Sequence, residues 1–420
     1  MKILQIHKFF RQEGSGGSVG ALFGLIDLLE KKGDKVMVFS TKDARNLFSN
    51  NEKYFVNSIP ISRNDSTGLA EKLRLLGRII SSREAADKLE ELIKKQGRPD
   101  IAHMHLITYH LTPSIVEVLK KHKIPIVQTL HDYQLICPNH KLLSQGEICE
   151  RCKKKKYYQC FLNKCIQDSY FRSFAGMMER YYNRVFNDYA REIDLFIAPS
   201  RFMKEKVIEF GIEKKKVEVL MNYIFFDNKT RDRKDETGRR GERLNYALYF
   251  GRLVKEKGVD ILIKSLKLVR DDFLKLVIAG IGPEEKELKR LTERLGLKNR
   301  VDFMGFKNKD DLALLIKRAK FVVYPSRWYE NSPLTIYESM YFKRPVIASR
   351  IGGHPELIRP GVNGYLFKSG DAKALAEKVN LMTFEEARIL GNRGGQWIRR
   401  EMDQDSYYSN LISLYGRVIG

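Results

Sequence analysis

The chain contains the same pattern twice, in which short apolar runs alternate with longer stretches whose apolar residues recur at helical spacing. This alternation is typical of βαβ units, where helices join parallel strands. The first half has six strand candidates: Lys2 to Ile6, Lys35 to Ser40, Asp100 to His105, Pro125 to His131, Leu195 to Pro199 and Val217 to Met221. Its helix candidates are Val19 to Lys32, Leu69 to Lys95, Pro113 to Lys121 and Asp168 to Arg191. We therefore predict an α/β protein with a doubly wound parallel sheet in this half.

A polar segment separates the two copies of the pattern. Residues 227–243, DNKTRDRKDETGRRGER, offer no apolar period to a core, and we predict that they form a linker. The alternation then restarts, with strand candidates at Asn245 to Phe250, Leu274 to Ala279, Val301 to Met304, Phe321 to Tyr324 and Val346 to Ser349. Because 420 residues exceed the usual size of a single core, we expect domains at 1–226 and 244–402, followed by an amphipathic helix at 403–420.

The charge and the cysteine content limit which binding partners and which cellular compartment we expect for the protein. A formal net charge of +24 favours polyanions, among them nucleic acid, anionic lipid headgroups and phosphorylated substrates. No apolar run approaches the roughly 20 residues of a membrane span, and the N-terminus, MKILQIHKFF, lacks the cleavage site of a signal peptide. We therefore expect a cytoplasmic protein. All five cysteines lie between Cys137 and Cys165, which indicates one local purpose.

Two polar features follow strands of the first half, at the edge where doubly wound sheets bind ligands. The segment GSGGSVG, residues 14–20, precedes a helix, so its backbone amides can approach a sugar or a phosphate; a loop without a ligand is the alternative. His131 ends a strand and is a candidate to bind a sugar hydroxyl, although a lone strand-end histidine is more often structural. His103, His105 and His110 form a second cluster, which serves either packing or acceptor binding.

In the second half, a basic pair follows the strand candidate at 245–250. Arg252 suits a bidentate contact to a phosphate, and Lys257, immediately before Gly258 and a helix, supplies a point charge. Both residues fit a diphosphate. Both are also compatible with solvated surface charge in a protein that has this many basic residues.

The segment ENSPLTIYE, residues 330–338, carries the most informative signal. Ser332 is a good N-cap and Pro333 a good first helical residue, so we predict that a helix starts there. The exposed first-turn amides of Leu334 and Thr335 would then face a phosphate.

The two glutamates of this segment are predicted to have different roles. Glu330 precedes the helix and can hold hydroxyls of a transferred sugar, whereas Glu338 lies inside the helix and can accept hydrogen bonds from ribose hydroxyls. A capped surface helix with two solvated acids is the alternative, which composition alone does not exclude.

The ordered motifs of the chain resemble those of glycosyltransferase family 4, retaining enzymes of the GT-B architecture. The matching stretches are GSGGS, HDYQLICP, APS (198–200), GRLVKEKG, IAGIGPE, DFMGF, ENSPLTIYESM, PVIAS, GGHPELI and NGYLF. They cover nearly the whole chain in the expected order. The paired glutamates eight positions apart, followed by PVIAS and the GG-PE pattern, are the most specific of them.

The resemblance implies two Rossmann-like domains that face each other across a cleft, with the acceptor on the first domain and the nucleotide sugar mainly on the second. It assigns to the donor Arg252 and Lys257 for the diphosphate, Phe306 and Lys307 for the base, Glu338 for ribose, Glu330 for the sugar, and Gly16, Gly17 and the active-site histidine His131 from the first domain. The C-terminal helix is expected to cross back onto the first domain.

The reaction implied by the resemblance is a retaining transfer without a catalytic metal. The sugar would move to a glycan, glycolipid or lipid-linked acceptor in the synthesis of a cell-surface polysaccharide or glycoconjugate. The leaving diphosphate is thought to help deprotonate the acceptor on the same face, so the protein mainly stabilises developing charge.

The cysteines lie in a Lys-rich insertion that directly follows HDYQLICP. Cys149, Cys152, Cys160 and Cys165 suggest a structural zinc knuckle, although the second pair is five apart rather than three. One or two disulfides are the alternative, which a reducing cytosol disfavours. Cys137 is a spare.

The same insertion is a candidate surface for the acceptor or for an anionic membrane. It would act with four basic residues of the helix near position 80, namely Arg74, Arg78, Arg83 and Lys88. The protein would then be peripheral on the inner face of a membrane.

Two other functions compete with the transferase. An epimerase-like enzyme would keep the fold and the nucleotide sugar but change the reaction. A basic nucleic-acid-binding protein with a zinc knuckle would use the charge and the cysteines, yet it leaves the ordered motifs of the second half unexplained. We therefore expect no nucleic acid among the partners.

Overall fold

The structure is a computed structural model that describes residues 1–11, 16–59, 76–185, 189–224 and 244–420. The chain divides into two compact units, one formed by Met1–Phe225 with Gln404–Gly420 and the other by Phe226–Asp403. The linker predicted at 227–243 lies outside the described residues. Each unit contains its own six-stranded sheet.

The first unit is built on six parallel strands flanked by helices. Its strands are β1 (Lys2–Ile6), β2 (Lys35–Phe39), β3 (Thr41–Lys42), β4 (Val56–Asn57), β5 (Ile101–Met104), β6 (Ile126–Thr129), β7 (Leu143–Ser144), β8 (Glu147–Ile148), β9 (Leu195–Ala198) and β10 (Val217–Val219). Its helices are α1 (Gly17–Lys31), α2 (Arg83–Gln96), α3 (Ser114–Lys121), α4 (Tyr158–Leu162), α5 (Tyr170–Val185), α6 (Tyr189–Glu192) and α7 (Arg201–Glu209). The main sheet has the order β10-β9-β6-β5-β1-β2, and β3–β4 and β7–β8 form two small separate pairs.

The second unit repeats this architecture. Its strands are β11 (Tyr246–Phe250), β12 (Lys275–Ala279), β13 (Val301–Gly305), β14 (Phe321–Tyr324), β15 (Val346–Ser349) and β16 (Gly364–Phe367). Its helices are α8 (Val259–Leu266), α9 (Glu285–Arg294), α10 (Lys309–Arg318), α11 (Leu334–Tyr341), α12 (His354–Leu357), α13 (Ala372–Asn380) and α14 (Phe384–Glu401). The parallel sheet has the order β13-β12-β11-β14-β15-β16.

Burial on both faces explains why the central strands were predictable. Every residue of β11, β14 and β15 is buried, and the segments YALYF, FVVY and VIAS are correspondingly apolar without alternation. The sixth strand of the second unit, β16, was not predicted as a strand. Its sequence GYLF contains only two aliphatic or phenyl side chains, so it lacks the long apolar run of its neighbours.

Two long helices predicted in the first half are interrupted. For the stretch predicted at 69–95, residues 76–80 are helical and α2 starts afresh at Arg83, while 69–75 lie outside the described residues. The break occurs because the Ser82 hydroxyl accepts a hydrogen bond from the Ala85 amide, 3.2 Å away, and so caps α2. The stretch predicted at 168–191 consists of α5 and α6, separated by residues outside the described part.

The C-terminal helix α15 (Gln404–Ile419) belongs to the first unit. Its apolar side is buried through Tyr407, Leu411 and Tyr415. The Tyr407 hydroxyl donates to the carbonyl oxygen of Met221 at 2.9 Å, and the Tyr408 hydroxyl donates to the Asp34 carboxylate at 3.0 Å. Aromatic residues with polar tips thus anchor this helix. Among the described helices, none combines the length and apolar composition needed to cross a bilayer.

The strand order of each sheet reverses at one position, the topological switch point. In the first unit the change falls between β1 and β5, and in the second unit between β11 and β14. The loops after such neighbouring strands diverge to opposite faces of the sheet, which leaves a crevice where doubly wound proteins bind their ligands.

Candidate functional site

Lys257 and Glu330 meet at the switch point of the second sheet, in the loops that follow β11 and β14. Lys257 Nζ lies 2.5 Å from Glu330 Oε1 and 2.5 Å from the hydroxyl oxygen of Tyr324. The two charged residues are 73 positions apart in the chain. The sequence pointed to each of them separately, and the fold joins them in one buried ion pair.

Two glycines allow the loops around this pair to pack closely. Gly258 has a φ of 68°, and a Cβ there would lie 2.1 Å from the carbonyl oxygen of Pro325. Gly352 has a φ of 57°, and a Cβ there would lie 2.3 Å from the carbonyl oxygen of Glu330. Only glycine permits both the left-handed backbone and these approaches. The position of Glu330 therefore depends on a glycine more than twenty residues further along the chain.

The Glu330 carboxylate is buried, with 7% of the residue exposed, and is heavily hydrogen bonded at one oxygen. Besides Lys257, Oε1 accepts from the Tyr324 hydroxyl at 3.1 Å, the Ser326 hydroxyl at 3.0 Å and the indole N–H of Trp328. Burial acts to raise the pKa of this carboxyl, but the neighbouring Lys257 charge and the donors outweigh it and hold the pKa below its ordinary value. Within the described residues no hydrogen bond reaches Oε2, which is free to accept one from a ligand.

The structure corrects the predicted start of helix α11. The helix begins at Leu334, Pro333 occupies the N-cap position with extended backbone, and no side chain caps it. The Ser332 hydroxyl is instead hydrogen bonded to the Tyr337 hydroxyl, because both side chains are buried together. The prediction that Ser332 is the N-cap was therefore wrong. Among the described residues, the amides of Leu334 and Thr335 have no acceptor, so the helix start is open to an anion.

Glu338 lies one turn into α11 and is half-buried. Burial raises the pKa of its carboxyl to about 7, although the charge of Lys309 acts in the opposite direction. No hydrogen bond to this carboxylate is formed within the described part of the chain. A half-buried carboxyl without a protein donor is a group that ligand hydroxyls can satisfy.

The other predicted donor residues of this unit lie at the same edge of the sheet. Arg252 follows β11, is exposed, and its guanidinium has no hydrogen-bond or ion-pair partner among the described residues. Its charge acts on the hydroxyls of Tyr249 and Tyr324, which places it near the Lys257 pair. Phe306 and Lys307 follow β13, and the Phe306 ring is 61% exposed, which suits stacking on a base.

Sequence reasoning missed the groups that surround Glu330. Tyr324 and Ser326 are two positions apart at the end of β14, a spacing that would have placed both on one face of the strand. His354 is fully buried, with its Nδ1–H donating to the Ser349 carbonyl oxygen at 2.8 Å, and its Nε2 has no partner within the described residues. Burial lowers the pKa of His354 to about 4, although the Glu330 charge acts to raise it.

In the first unit, four histidines line the carboxyl ends of the central strands. The rings of His103 and His105 stack with centroids 4.5 Å apart, and those of His105 and His131 with centroids 5.1 Å apart. The ring of His7 lies 6.0 Å from that of His105. His110 is elsewhere and accepts from the Ile59 amide at 3.2 Å, which is a structural contact.

A hydrogen-bond chain determines which nitrogen of His131 is available. The Gln5 side-chain oxygen accepts from His105 Nε2 at 2.8 Å, so the proton of His105 is on Nε2. His105 Nδ1 must then accept from His131 Nε2, which lies 2.8 Å away. His131 therefore keeps an unprotonated Nδ1, which has no partner among the described residues. Burial lowers the pKa of His131 to about 3, so the ring is neutral at physiological pH.

Gly16 and Gly17 are located at the start of α1. Gly16 precedes the helix with a φ of 72° and ψ of 179°, and Gly17 is its first residue. Within the described part of the chain, no heavy atom lies within 4 Å of an ideal Cβ at Gly16, and the residue is exposed. Residues 12–15 of the glycine-rich segment lie outside the described residues.

The cysteine insertion shows no metal site. Among the described residues, no group of three or more His, Cys, Asp or Glu side chains is arranged to hold a metal ion, and all five cysteines are free thiols. Burial raises the pKa of Cys152 and the thiols of Cys149 and Cys165 act in the same direction, so these cysteines lie near one another, but a four-ligand set of Cys149, Cys152, Cys160 and Cys165 is not shown. The Cys160 thiol hydrogen-bonds Cys165, which lowers the pKa of Cys165 to about 6.

Two of the four basic residues that were predicted to form a surface near position 80 are paired with acidic residues. Arg78 pairs with Glu84 at 3.1 Å, and Lys88 pairs with Glu91 at 3.2 Å. Arg83 is the first residue of α2, and Arg74 lies outside the described residues. Arg78 does not share a helix with Arg83 and Lys88, because Ser82 separates it from α2.

Two family models match the sequence. One described as Glycosyltransferase Family 4 matches residues 15–224, and one described as Glycosyl transferases group 1 matches residues 230–393. The first model covers half of the chain, and the two together cover nearly all of it.

Curated relatives match over shorter stretches. An uncharacterized glycosyltransferase of Methanocaldococcus jannaschii is 34% identical over 158 residues, which are 37% of this chain and 44% of that protein. The O-antigen chain mannosyltransferase C of Escherichia coli is 31% identical over 173 residues, which are 41% of this chain and 45% of that protein. The chain thus spans less than half of the length of either relative.

Solved structures match over the full length. The Anabaena protein HepE, crystallised with UDP and glucose, has a TM-score of 0.66 and 21% identity, with 99% of this chain and 100% of that chain covered. At this identity the likeness shows the fold alone, which is the GT-B fold with two Rossmann-like halves.

Proposed function

Because the chain belongs to glycosyltransferase family 4, we propose that it transfers a sugar from a nucleotide-sugar donor with retention of configuration and without a catalytic metal ion. The observation that carries this proposal is the Lys257–Glu330 ion pair at the switch point of the second sheet. A cation for a diphosphate and a carboxylate for a sugar are adjacent there, and the open start of α11 follows in the same segment. The UDP bound by HepE supports a nucleotide sugar as the donor class.

The donor diphosphate is proposed to bind the basic groups and the helix start. Arg252 supplies a guanidinium for bidentate contact that is unpaired among the described residues, and Lys257 supplies a second positive charge. The free amides of Leu334 and Thr335 add donors with no side-chain reorganisation. These groups stabilise the negative charge that grows on the diphosphate as the bond to the sugar breaks.

The carboxylates are proposed to hold the sugars of the donor. Glu330 already uses Oε1 for four donors, so Oε2 would accept from hydroxyls of the transferred sugar. Glu338 would accept from ribose hydroxyls, and the exposed ring of Phe306 with the backbone at Lys307 would contact the base. Ser332 is engaged with Tyr337, so its contribution to the donor would be indirect.

The first unit is proposed to bind sugar hydroxyls with its strand-end groups. The neutral His131 ring presents Nδ1 as a hydrogen-bond acceptor, because the chain through His105 to Gln5 fixes its proton on Nε2. The backbone of Gly16 and Gly17 is proposed to approach the donor closely. These roles follow from the resemblance and are supported by the exposure of Gly16 and Gly17 and by the unprotonated Nδ1 of His131.

Retention is proposed to proceed without a protein nucleophile. The acceptor oxygen attacks the anomeric carbon on the face that the diphosphate leaves, the carbon–phosphate-oxygen bond breaks, and the acceptor proton passes to the departing diphosphate oxygen. Placement and electrostatics then carry the catalysis.

The acceptor is proposed to be a glycan, a glycolipid or a lipid-linked saccharide at the cytoplasmic side of a membrane. The net charge of +24 supports an anionic carrier or surface. An O-antigen mannosyltransferase among the relatives supports a surface polysaccharide as the product class.

A structural zinc at the four cysteines stays a prediction. Its support is the Cys149-x-x-Cys152 spacing with two further thiols nearby in sequence, and the arrangement of the described side chains does not add to it. Elemental analysis of the purified protein decides the question, since stoichiometric zinc would support a knuckle and its absence would remove it.

The proposed function is tested by a panel of UDP-, GDP- and ADP-sugars. We expect one of them to raise the melting temperature of the wild type but not of Arg252→Ala, and to donate sugar to an acceptor with the same anomeric configuration in product and donor. Chelation by EDTA should leave the rate unchanged. Failure of every donor to stabilise the protein would overturn the proposal, and release of a free epimer would assign an epimerase instead.

A further inference from the structure

Helix α5 turns its polar side toward the protein and its apolar side toward solvent. Its buried residues are Ser173, Ala175, Gly176, Glu179, Arg180 and Asn183, most of them polar. Its large exposed residues are Tyr170, Phe174, Met178 and Val185, which are 53%, 38%, 36% and 69% exposed. A helix on the surface of a soluble domain normally shows the opposite arrangement. Tyr170, Phe174 and Met178 follow one another at intervals of four residues and Val185 lies seven beyond Met178, so these apolar side chains share one face.

The inward orientation of the polar side is held by specific contacts. The guanidinium of Arg180 donates to both carboxylate oxygens of Glu179 at 2.7 and 2.6 Å and to the carbonyl oxygen of Gln134. The Asn183 amide also donates to Glu179, at 2.6 Å. A Cβ at Gly176 would lie 2.5 Å from the Cδ1 methyl of Ile166 and 3.5 Å from the carbonyl oxygen of Pro138, so this face of the helix backbone packs closely against its neighbours. The apolar side must therefore face outward.

The apolar surface continues onto the preceding short helix α4. Leu162, its last residue, is 59% exposed. The Phe161 ring packs between Tyr170 and Phe174, with centroid distances of 5.4 and 6.0 Å. We call Leu162, Tyr170, Phe174 and Met178 the outer face. Contiguous apolar surface with a polar surround marks a contact site for another molecule or a membrane.

Basic residues surround the outer face. Between residues 151 and 185 there are nine Lys and Arg but only two acidic residues. Glu179 and Arg180 are buried together as an ion pair, which leaves eight basic residues and one acidic residue in this segment. Lys154, Lys155 and Lys156 are exposed just before α4, and Lys164 Nζ lies 4.3 Å from the centroid of the Tyr170 ring. The partner of this face must therefore be both apolar and anionic.

We propose that the outer face docks onto a lipid bilayer that carries anionic headgroups. Tyr, Phe, Leu and Met would enter the boundary between headgroups and acyl chains, while the surrounding lysines would contact the headgroup phosphates. Nucleic acid would satisfy the lysines but leave Leu162 and Met178 in water. A second copy of the chain would bring two strongly basic surfaces together. This docking surface shares no residue with the proposed donor site and does not depend on the proposed reaction.

The test is flotation of the full-length protein with vesicles of neutral phosphatidylcholine or with vesicles that contain about 30% phosphatidylglycerol. We expect binding to the anionic vesicles only, with a decrease as salt is raised. The variant Phe174→Glu/Met178→Glu should bind about tenfold or more weakly, because two inserted side chains become charged. These positions are exposed, so the fold should be retained, which circular dichroism and melting temperature check.

The matched control is Phe273→Glu, which makes the same change at a phenylalanine that is 88% exposed in the second unit. It should bind vesicles like the wild type. Equal binding to neutral and anionic vesicles, or unchanged binding of the Phe174→Glu/Met178→Glu variant, would overturn the proposal. The proposal would also be overturned if the wild type does not bind vesicles and instead forms a dimer in sedimentation experiments, and if Phe174→Glu/Met178→Glu dissociates that dimer. Neither donor nor acceptor is needed, so the result is independent of transferase activity.

Discussion

Lys257 Nζ and Glu330 Oε1, 2.5 Å apart, form the ion pair around which the second unit organises its candidate site. The lysine comes from the loop after β11 and the glutamate from the loop after β14, the strands between which the sheet order turns. Both side chains are almost fully buried, so neither charge can lose its partner without a large desolvation cost. The pair is therefore part of the fold as well as of the proposed donor site.

Substituting this pair should separate its structural role from its functional one. We expect Lys257→Met to lower the free energy of unfolding by about 3 kcal/mol, because a buried carboxylate is left without its counter-charge. The double variant Lys257→Met/Glu330→Gln should regain most of this stability and none of the activity. Urea denaturation and kcat/KM measure the two effects. Recovery of transfer by the double variant would show that the pair only supports the fold.

Arg252→Ala should affect activity and not stability. Its guanidinium is exposed and makes no ion pair among the described residues, so the free energy of unfolding should change by less than about 0.5 kcal/mol. Loss of a group that stabilises the leaving diphosphate should lower kcat/KM by about 10²- to 10³-fold. Arg290→Ala is the matched control, since Arg290 is an exposed arginine on α9 whose ion pair with Glu287 spans 3.7 Å. Equal activity of the two variants would remove Arg252 from the site.

Glu338 should make both stability and donor binding depend on pH. The pKa of its carboxyl rises from an unfolded value of 4.5 to about 7 in the folded protein, so the folded state keeps a proton that the unfolded state releases. Folding stability should therefore fall as pH rises from 4.5 to about 7, and Glu338→Gln should flatten this slope. Above pH 7 the variant should be more stable than the wild type by about 1 to 3 kcal/mol.

Donor affinity should show the opposite trend with pH. Ribose hydroxyls bind an ionised carboxylate more strongly, so donor affinity of the wild type should increase as pH rises through about 7. Glu338→Gln should bind more weakly and lack this step. Calorimetric titration at pH 5.5, 7 and 8.5, values that bracket a pKa of about 7, provides the measurement. An identical pH profile in both proteins would place the titration elsewhere.

Gly352→Ala should damage the site from a distance. The new Cβ would lie 2.3 Å from the Glu330 carbonyl oxygen. In addition, alanine would be strained at a φ of 57°, because residues with a Cβ disfavour the left-handed region. We expect a loss of more than about 2 kcal/mol and of most activity, because Glu330 must move. Gly296 has a similar φ of 68°, and no heavy atom of the described residues lies within 4 Å of an ideal Cβ there, so Gly296→Ala should cost about 1 kcal/mol and spare activity. Thermal unfolding of both variants separates steric displacement from backbone strain.

Gln5→Leu should impair His131 without touching it. Gln5 is fully buried and its oxygen fixes the His105 proton, so a leucine of similar volume frees His105 to adopt either tautomer. We expect kcat to fall by about tenfold with little change in donor affinity. Thr129→Val removes only the 2.7 Å contact to His103 and should leave kcat unchanged. If both variants behave alike, the effect lies in packing rather than in the orientation of His131.

Much of the fold follows from local pattern. The strand β1 begins and ends where its apolar run does, and β11, β14 and β15 are found within one residue of their predicted bounds. Such runs identify strands because both faces of a parallel sheet are covered. The same pattern brings Arg252 and Glu330 to the carboxyl ends of strands, since Arg252 follows β11 after one glycine and Glu330 lies in the loop that follows β14.

Local sequence pattern therefore predicts the two parallel-sheet units, and it predicts candidate site residues in the loops that follow their strands. Tertiary structure alone decided that Lys257 pairs with Glu330, that Ser332 bonds Tyr337 instead of capping α11, and that α5 faces outward with its apolar side. The physical reason is that a sequence pattern records local periodicity. Which residues meet across 73 positions depends on strand order, and which side of an amphipathic helix is buried depends on whether its polar groups find partners inside.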